Sequence, residues 1–121
     1  MRRLWVALAI CTIAAGGAAL EDLWKDAVTL HQAGKLPEAE AKYREVLAAS
    51  PNYVPALANL GAIASQSGRY GDAVERFREA LQHAPGHPRI RLNLALGYYK
   101  QNLLADAAPI LEPLAREQPA N

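Results

Sequence analysis

The amino-acid sequence predicts an all-α protein made of repeated helix pairs, and three observations carry that expectation. A period of 34 runs through the chain: Pro51, Pro85 and Pro119 keep it, as do Gly34, Gly68 and Asn102, and Ala39, Ala73 and Ala107. The large positions Tyr43, Phe77 and Leu111 follow the same interval, with Leu36, Tyr70, Leu104 and Leu47, Leu81, Ala115 in register. Within one period the apolar residues recur at helical spacing. The composition agrees, since alanine and leucine dominate the apolar set and only 7% of residues are aromatic, which favours helices packed through small side chains over a β-sandwich.

The chain opens on a different kind of segment. Met1-Arg2-Arg3 is a short cationic start, Leu4 to Ala15 is an uncharged apolar run, and Gly16-Gly17-Ala18-Ala19 supplies small residues. These are the three parts of a secretory signal peptide over residues 1–19, with cleavage expected before Leu20. An uncleaved anchor is the alternative, because the uncharged stretch from Leu4 to Leu20 reaches the lower limit of a membrane-spanning helix. A lipidated Cys11 is disfavoured by Ile10, which stands where a small residue is wanted. Arg2-Arg3 lacks the flanking pattern of a twin-arginine signal. The expected location is therefore outside the cytoplasm, in the periplasm or cell envelope.

Without the leader, residues 20–121 hold 11 Lys+Arg against 12 Asp+Glu, a net charge of −1. That balance argues against nucleic acid as a partner, since phosphate neutralisation needs a basic domain or stripe. Cys11 is the only cysteine, so the remainder has no thiol for a disulfide, zinc or a nucleophile.

The periodic residues punctuate the rest into helix, turn, helix and break. Glycine or asparagine accepts the left-handed conformation that ends a first helix, and proline disfavours helix in the residue before it, which stops the second. In the middle period Ala56, Leu57, Leu60, Ile63 and Ala64 form one apolar face, and Ala73, Val74, Phe77, Ala80 and Leu81 form the next. Gly61 and Ala73 are small enough to let these two helices approach closely. In the last period Pro109 and Pro113 fall in the second helix. Pro109 is expected to be tolerated near the first turn, whereas Pro113 predicts a kink or a weak helix, at about 3 kcal/mol in an otherwise regular one.

Leu57-x2-Leu60-Gly61-x2-Ala64, followed by Gly68-x-Tyr70-x2-Ala73-x3-Phe77-x2-Ala80-Leu81-x3-Pro85, resembles a tetratricopeptide repeat. Residues 20–53 keep Ala27, Leu30, Gly34, Ala39, Tyr43, Leu47 and Pro51, with Asp26 where the family places leucine. Residues 88–121 keep Leu94, Ala95, Tyr98, Ala107 and Pro119, with Asn102 in place of the turn glycine. The resemblance implies three helix-turn-helix units, 20–53, 54–87 and 88–121, stacked into a right-handed superhelical solenoid after the signal peptide.

The resemblance also implies a function: first helices line a concave groove that receives an extended peptide. Its groove positions fall on Glu21, Trp24, Lys25, Val28, His31 and Gln32 in the first unit. They fall on Pro55, Ala58, Asn59, Ala62, Ser65 and Gln66 in the second, and on Arg89, Leu92, Asn93, Leu96, Tyr99 and Lys100 in the third. Lys25, Arg89 and Lys100 outnumber Glu21, and Asn59 and Asn93 offer donor and acceptor together. Such a surface suits a protein or peptide partner of acidic character, with Trp24 and Tyr99 as aromatic anchors. The family's carboxylate clamp for chaperone tails is matched only at Asn59 and Arg89. Trp24, Val28 and Asn93 stand at the other clamp positions.

No catalytic or metal chemistry and no cofactor is expected. His31, His83 and His87 lack one-face helical spacing, because Ala84-Pro85-Gly86 separates the last two. Neither a Gly-x-Ser-x-Gly elbow nor a phosphate loop is present. Asp72, Glu75 and Glu79 beside Arg76 and Arg78 read as a solvated, ion-paired helix face. Two other roles are weighed against peptide binding: the N-terminal region of a larger envelope protein, or a scaffold that docks an envelope assembly without reading a peptide motif. The last helix, with Ile110, Leu111 and Leu114 and no polar cap after it, also predicts self-association or further chain.

Overall fold

The structure is a computed structural model, and it describes residues 19–117. The expected signal peptide therefore lies outside the described residues except for residue 19, and Pro119 lies outside them too. All regular structure among the described residues is helical: α1 (residues 19–32), α2 (Leu36–Ala49), α3 (Val54–Gln66), α4 (Tyr70–His83), α5 (Pro88–Lys100) and α6 (Leu104–Glu117). They fall into two compact units that divide after Pro51.

In the first unit α1 and α2 meet through Tyr43, which is fully buried along with Ala27, Ala39 and Val46. The Trp24 ring lies 5.6 Å from that of Tyr43 and is tilted 55° to it. Nδ1 of His31 shares a 3.1 Å hydrogen bond with the Tyr43 hydroxyl. Trp24 and His31 are seven residues apart on α1, close to two helical turns, so both face the same tyrosine.

In the second unit α4 packs against both α3 and α5, and α5 packs against α6. Leu57, Leu60, Ile63, Phe77, Ile90 and Leu94 form its core. Two helix contacts depend on glycine. A Cβ at Gly61 would lie 2.6 Å from Cε1 of Phe77, so the ring sits directly on the α3 backbone, as the small-residue expectation required. A Cβ at Gly97 would lie 2.9 Å from Cγ2 of Val74, which brings α5 equally close to α4.

The turns are built alike. Gly34, Gly68 and Asn102 have φ of 77°, 76° and 61°. After each, the amides of Lys35, Arg69 and Leu103 donate back to the carbonyls of Leu30, Ala64 and Tyr98, at 2.9, 2.8 and 2.8 Å. The amides of Gly34, Gly68 and Asn102 donate to His31, Ser65 and Tyr99 at 3.0, 3.1 and 2.9 Å. This double bond pattern is the Schellman motif, which satisfies carbonyls that a helix end leaves open. Second helices end differently: Ser50 and Ala84 both have φ of −141° and precede a proline, which disfavours helix in the residue before it.

One expectation is corrected. α6 runs unbroken through Pro109 and Pro113. Pro109 is its sixth residue, beyond the first turn, so each proline leaves one carbonyl without its helical donor, on Ala105 and Pro109 respectively. Ala105 and Pro109 are both exposed residues, so the two carbonyls belong to the solvent side of the helix.

Candidate functional site

α3 and α5 lie side by side and run in the same direction, since both of their starts line one depression and both of their ends line another. The first, of about 550 Å³, is lined by Val54, Pro55, Ala58, Asn59, Ala62, His87, Arg89, Ile90 and Asn93. The second, of about 360 Å³, is lined by Ala62, Ser65, Gln66, Tyr70, Phe77, Asn93, Leu96, Gly97 and Lys100. Ala62 and Asn93 belong to both, so the two adjoin.

Arg89, Asn93, Leu96 and Lys100 recur on α5 at steps of four, three and four residues, which places them along one helix face. The first depression is the polar one. His87 caps α5: the Ile90 amide donates to its Nδ1 at 3.3 Å, which leaves Nε2 of the neutral ring as a donor. Arg89, Asn59 and Asn93 add further donors. The second depression has an apolar floor made by Ala62, Gly97 and the side chains of Phe77 and Leu96, with Lys100 at its rim.

No carboxylate lines either depression. Arg89 and Lys100 make no ion pair among the described residues, whereas Arg69, Arg76 and Arg91 of the same unit are paired with Asp72, Glu79 and Glu117. Lys25 on α1 is paired with Glu21 at 3.2 Å, so its charge is offset locally.

Asn59, Gln66, Arg89, Asn93, Leu96 and Lys100 are thus gathered on one surface. Leu92 and Tyr99 line neither depression, although they are 42% and 58% exposed. Trp24 is half-buried against Tyr43, Lys25 and Gln32 are exposed, and Val28 is half-buried. Sequence reasoning passed over His87, Tyr70 and Gly97 as parts of this surface. For His87 the signal was present, since it stands immediately before Pro88 at the start of α5.

Paired helices joined by Schellman turns at a fixed interval, with adjacent first helices carrying a polar face, define a helical-repeat protein. The tetratricopeptide-repeat family matches residues 64–121, and that part of the chain is similar to its repeats. The Arabidopsis thaliana protein CTR9 homolog is 29% identical over 89 residues, which are 73% of this chain and 8% of that protein. Among solved structures, the Yersinia enterocolitica type III secretion chaperone SycD, in complex with a peptide of the translocator YopD, superposes with a TM-score of 0.75 at 25% identity. That match covers 85% of this chain and 78% of the chaperone. MamA superposes with a TM-score of 0.74 at 18% identity, over 80% of this chain and 53% of MamA. The chain therefore spans about half of MamA and a small part of the CTR9 homolog.

Proposed function

We propose that this protein captures an extended segment of a partner polypeptide along the α3–α5 face. The observation that carries the proposal is the pair of adjoining depressions, which present the three side-chain amides of Asn59, Gln66 and Asn93, an arginine and a lysine and no carboxylate. Amide side chains can pair with a strand-like backbone at either donor or acceptor, and the apolar floor of the second depression takes a side chain. The solved complex of SycD with a YopD peptide supports the reading, because the same fold holds a peptide there. In this reading 20–53, 54–87 and 88–121 are the repeat units, and Trp24, Lys25, Val28, Gln32 and Tyr99 are additional partner contacts. The protein acts by binding and not by catalysis.

In the same reading residues 1–19 are a cleaved signal peptide, and the function lies outside the cytoplasm, in the periplasm or cell envelope. Among the described residues no helix is long and apolar enough to cross a membrane. An intact-mass measurement on the exported protein tests the leader, since a mass that retains the first 19 residues overturns cleavage.

Capture is tested by pull-down from the envelope fraction with the double variant Asn59→Ala, Arg89→Ala, checked for unchanged circular dichroism. Loss of the partner supports the groove. Undiminished capture overturns it and favours a scaffold that docks through another surface.

A further inference from the structure

We infer that the α3–α5 face reads a spaced pair of side chains: an acidic residue against Arg89 and, three residues further along an extended chain, a large apolar residue in the depression floored by Gly97. This inference rests on the peptide-capture reading above and adds what the peptide must carry.

Charge comes first. The polar depression holds Arg89, the Nε2 side of His87 and the amides of Asn59 and Asn93, with no carboxylate among its lining. Arg89 has no intramolecular ion pair among the described residues, so its fork is available to a carboxylate. The N-terminal ends of α3 and α5 both open here, and their dipoles favour negative charge.

Apolar chemistry follows at a fixed distance. The second depression is floored by Ala62, Gly97, Leu96 and the Phe77 ring. Leu96 lines this depression and remains 46% exposed. An incoming aliphatic or aromatic side chain removes that surface from water.

The spacing comes from α5 itself. Arg89 and Leu96 are seven residues apart, which is about 10 Å along a helix rising 1.5 Å per residue. A polyproline-II chain rises about 3.1 Å per residue with three residues per turn, so positions i and i+3 share a face about 9 Å apart. A β-strand puts i and i+2 on one face at about 7 Å and i and i+4 at about 13 Å, and neither matches. The ligand is therefore an extended, polyproline-II-like segment with acidic and apolar residues at i and i+3. Lys100, four residues beyond Leu96, sits where a second acidic residue would follow. As the last residue of α5 it also offsets that helix's dipole, so its subsite is the weaker one.

The test uses the full chain and labelled peptides with a neutral background, each carrying one Glu and one Leu at varied separation, read by fluorescence anisotropy. Affinity peaks when two residues intervene. Replacing Glu by Gln in that peptide weakens binding about tenfold, the scale of one charged hydrogen-bonded contact. Arg89→Glu reverses the preference toward a Lys-for-Glu peptide, and Leu96→Asp removes the preference for Leu over Ala. Equal binding at all separations, or equal binding of Glu, Gln and Lys peptides, overturns the inference. If those results come while Asn59→Ala, Arg89→Ala still abolishes partner capture, only the spaced pair fails. If capture also survives the double variant, the groove reading fails with it.

Discussion

At the scale of single residues, three glycines separate packing from backbone conformation. Gly61 is helical and faces three Phe77 ring atoms at 2.6 to 2.8 Å from any added Cβ. Phe77 is 1% exposed and belongs to the core of the second unit. Alanine's better helix propensity is worth about 1 kcal/mol, but overpacking a filled core costs about 1–3 kcal/mol, so Gly61→Ala is expected to destabilise the protein in urea unfolding. Gly86 has open space and no positive φ, and Gly86→Ala should be neutral or stabilising by up to about 1 kcal/mol. Gly68 also has open space but φ of 76°, so Gly68→Ala should cost about 1–2 kcal/mol through the backbone alone. Gly61 and Gly68 were legible because both sit at periodic positions of a recognisable pattern. Gly97 was not: what makes it necessary is Val74 on a neighbouring helix, and that contact appears only once α4 and α5 are docked. Trp24 was read toward a ligand, and its ring packs on Tyr43 of α2.

At the scale of elements, the punctuation was legible because it is local. The left-handed residue, the two turn hydrogen bonds and the proline stop depend on a few adjacent residues, and they recur at their period. Asn102 does the work of glycine at φ 61°, which asparagine tolerates better than other side chains but less well than glycine. Asn102→Gly should therefore leave thermal stability unchanged or raise it. The continuity of α6 was not legible, because it depends on whether the freed carbonyls reach water, a property of the folded surface. Each proline still lacks its hydrogen bond. Pro113→Ala restores a donor to the Pro109 carbonyl and should increase amide-exchange protection across α6 by about 1–3 kcal/mol, the usual penalty of an interior proline or part of it. Unchanged protection would mean that solvation already offsets the lost bond in full.

At the scale of the whole molecule, net charge and local charge point in different directions, and that difference gives the binding surface a measurable signature. Residues 20–121 carry −1, so general attraction between this chain and an acidic ligand is absent. The attraction has to come from Arg89 and Lys100, which keep their charges unpaired on the face that lacks carboxylates. Both are exposed, so salt reaches them: the screening length is about 10 Å at 0.1 M and about 3 Å at 1 M. The apolar contribution from the depression around Leu96 is not screened and strengthens slightly in salting-out ions. Binding of an acidic, apolar-bearing peptide should therefore weaken several-fold as sodium chloride rises from about 0.05 to 0.5 M and then level off at the affinity left by the apolar contact. With Arg89→Gln and Lys100→Gln together, affinity at low salt should already lie near that plateau, and the salt dependence should flatten. A titration that stays equally steep in the double variant would place the responsible cations elsewhere on the chain.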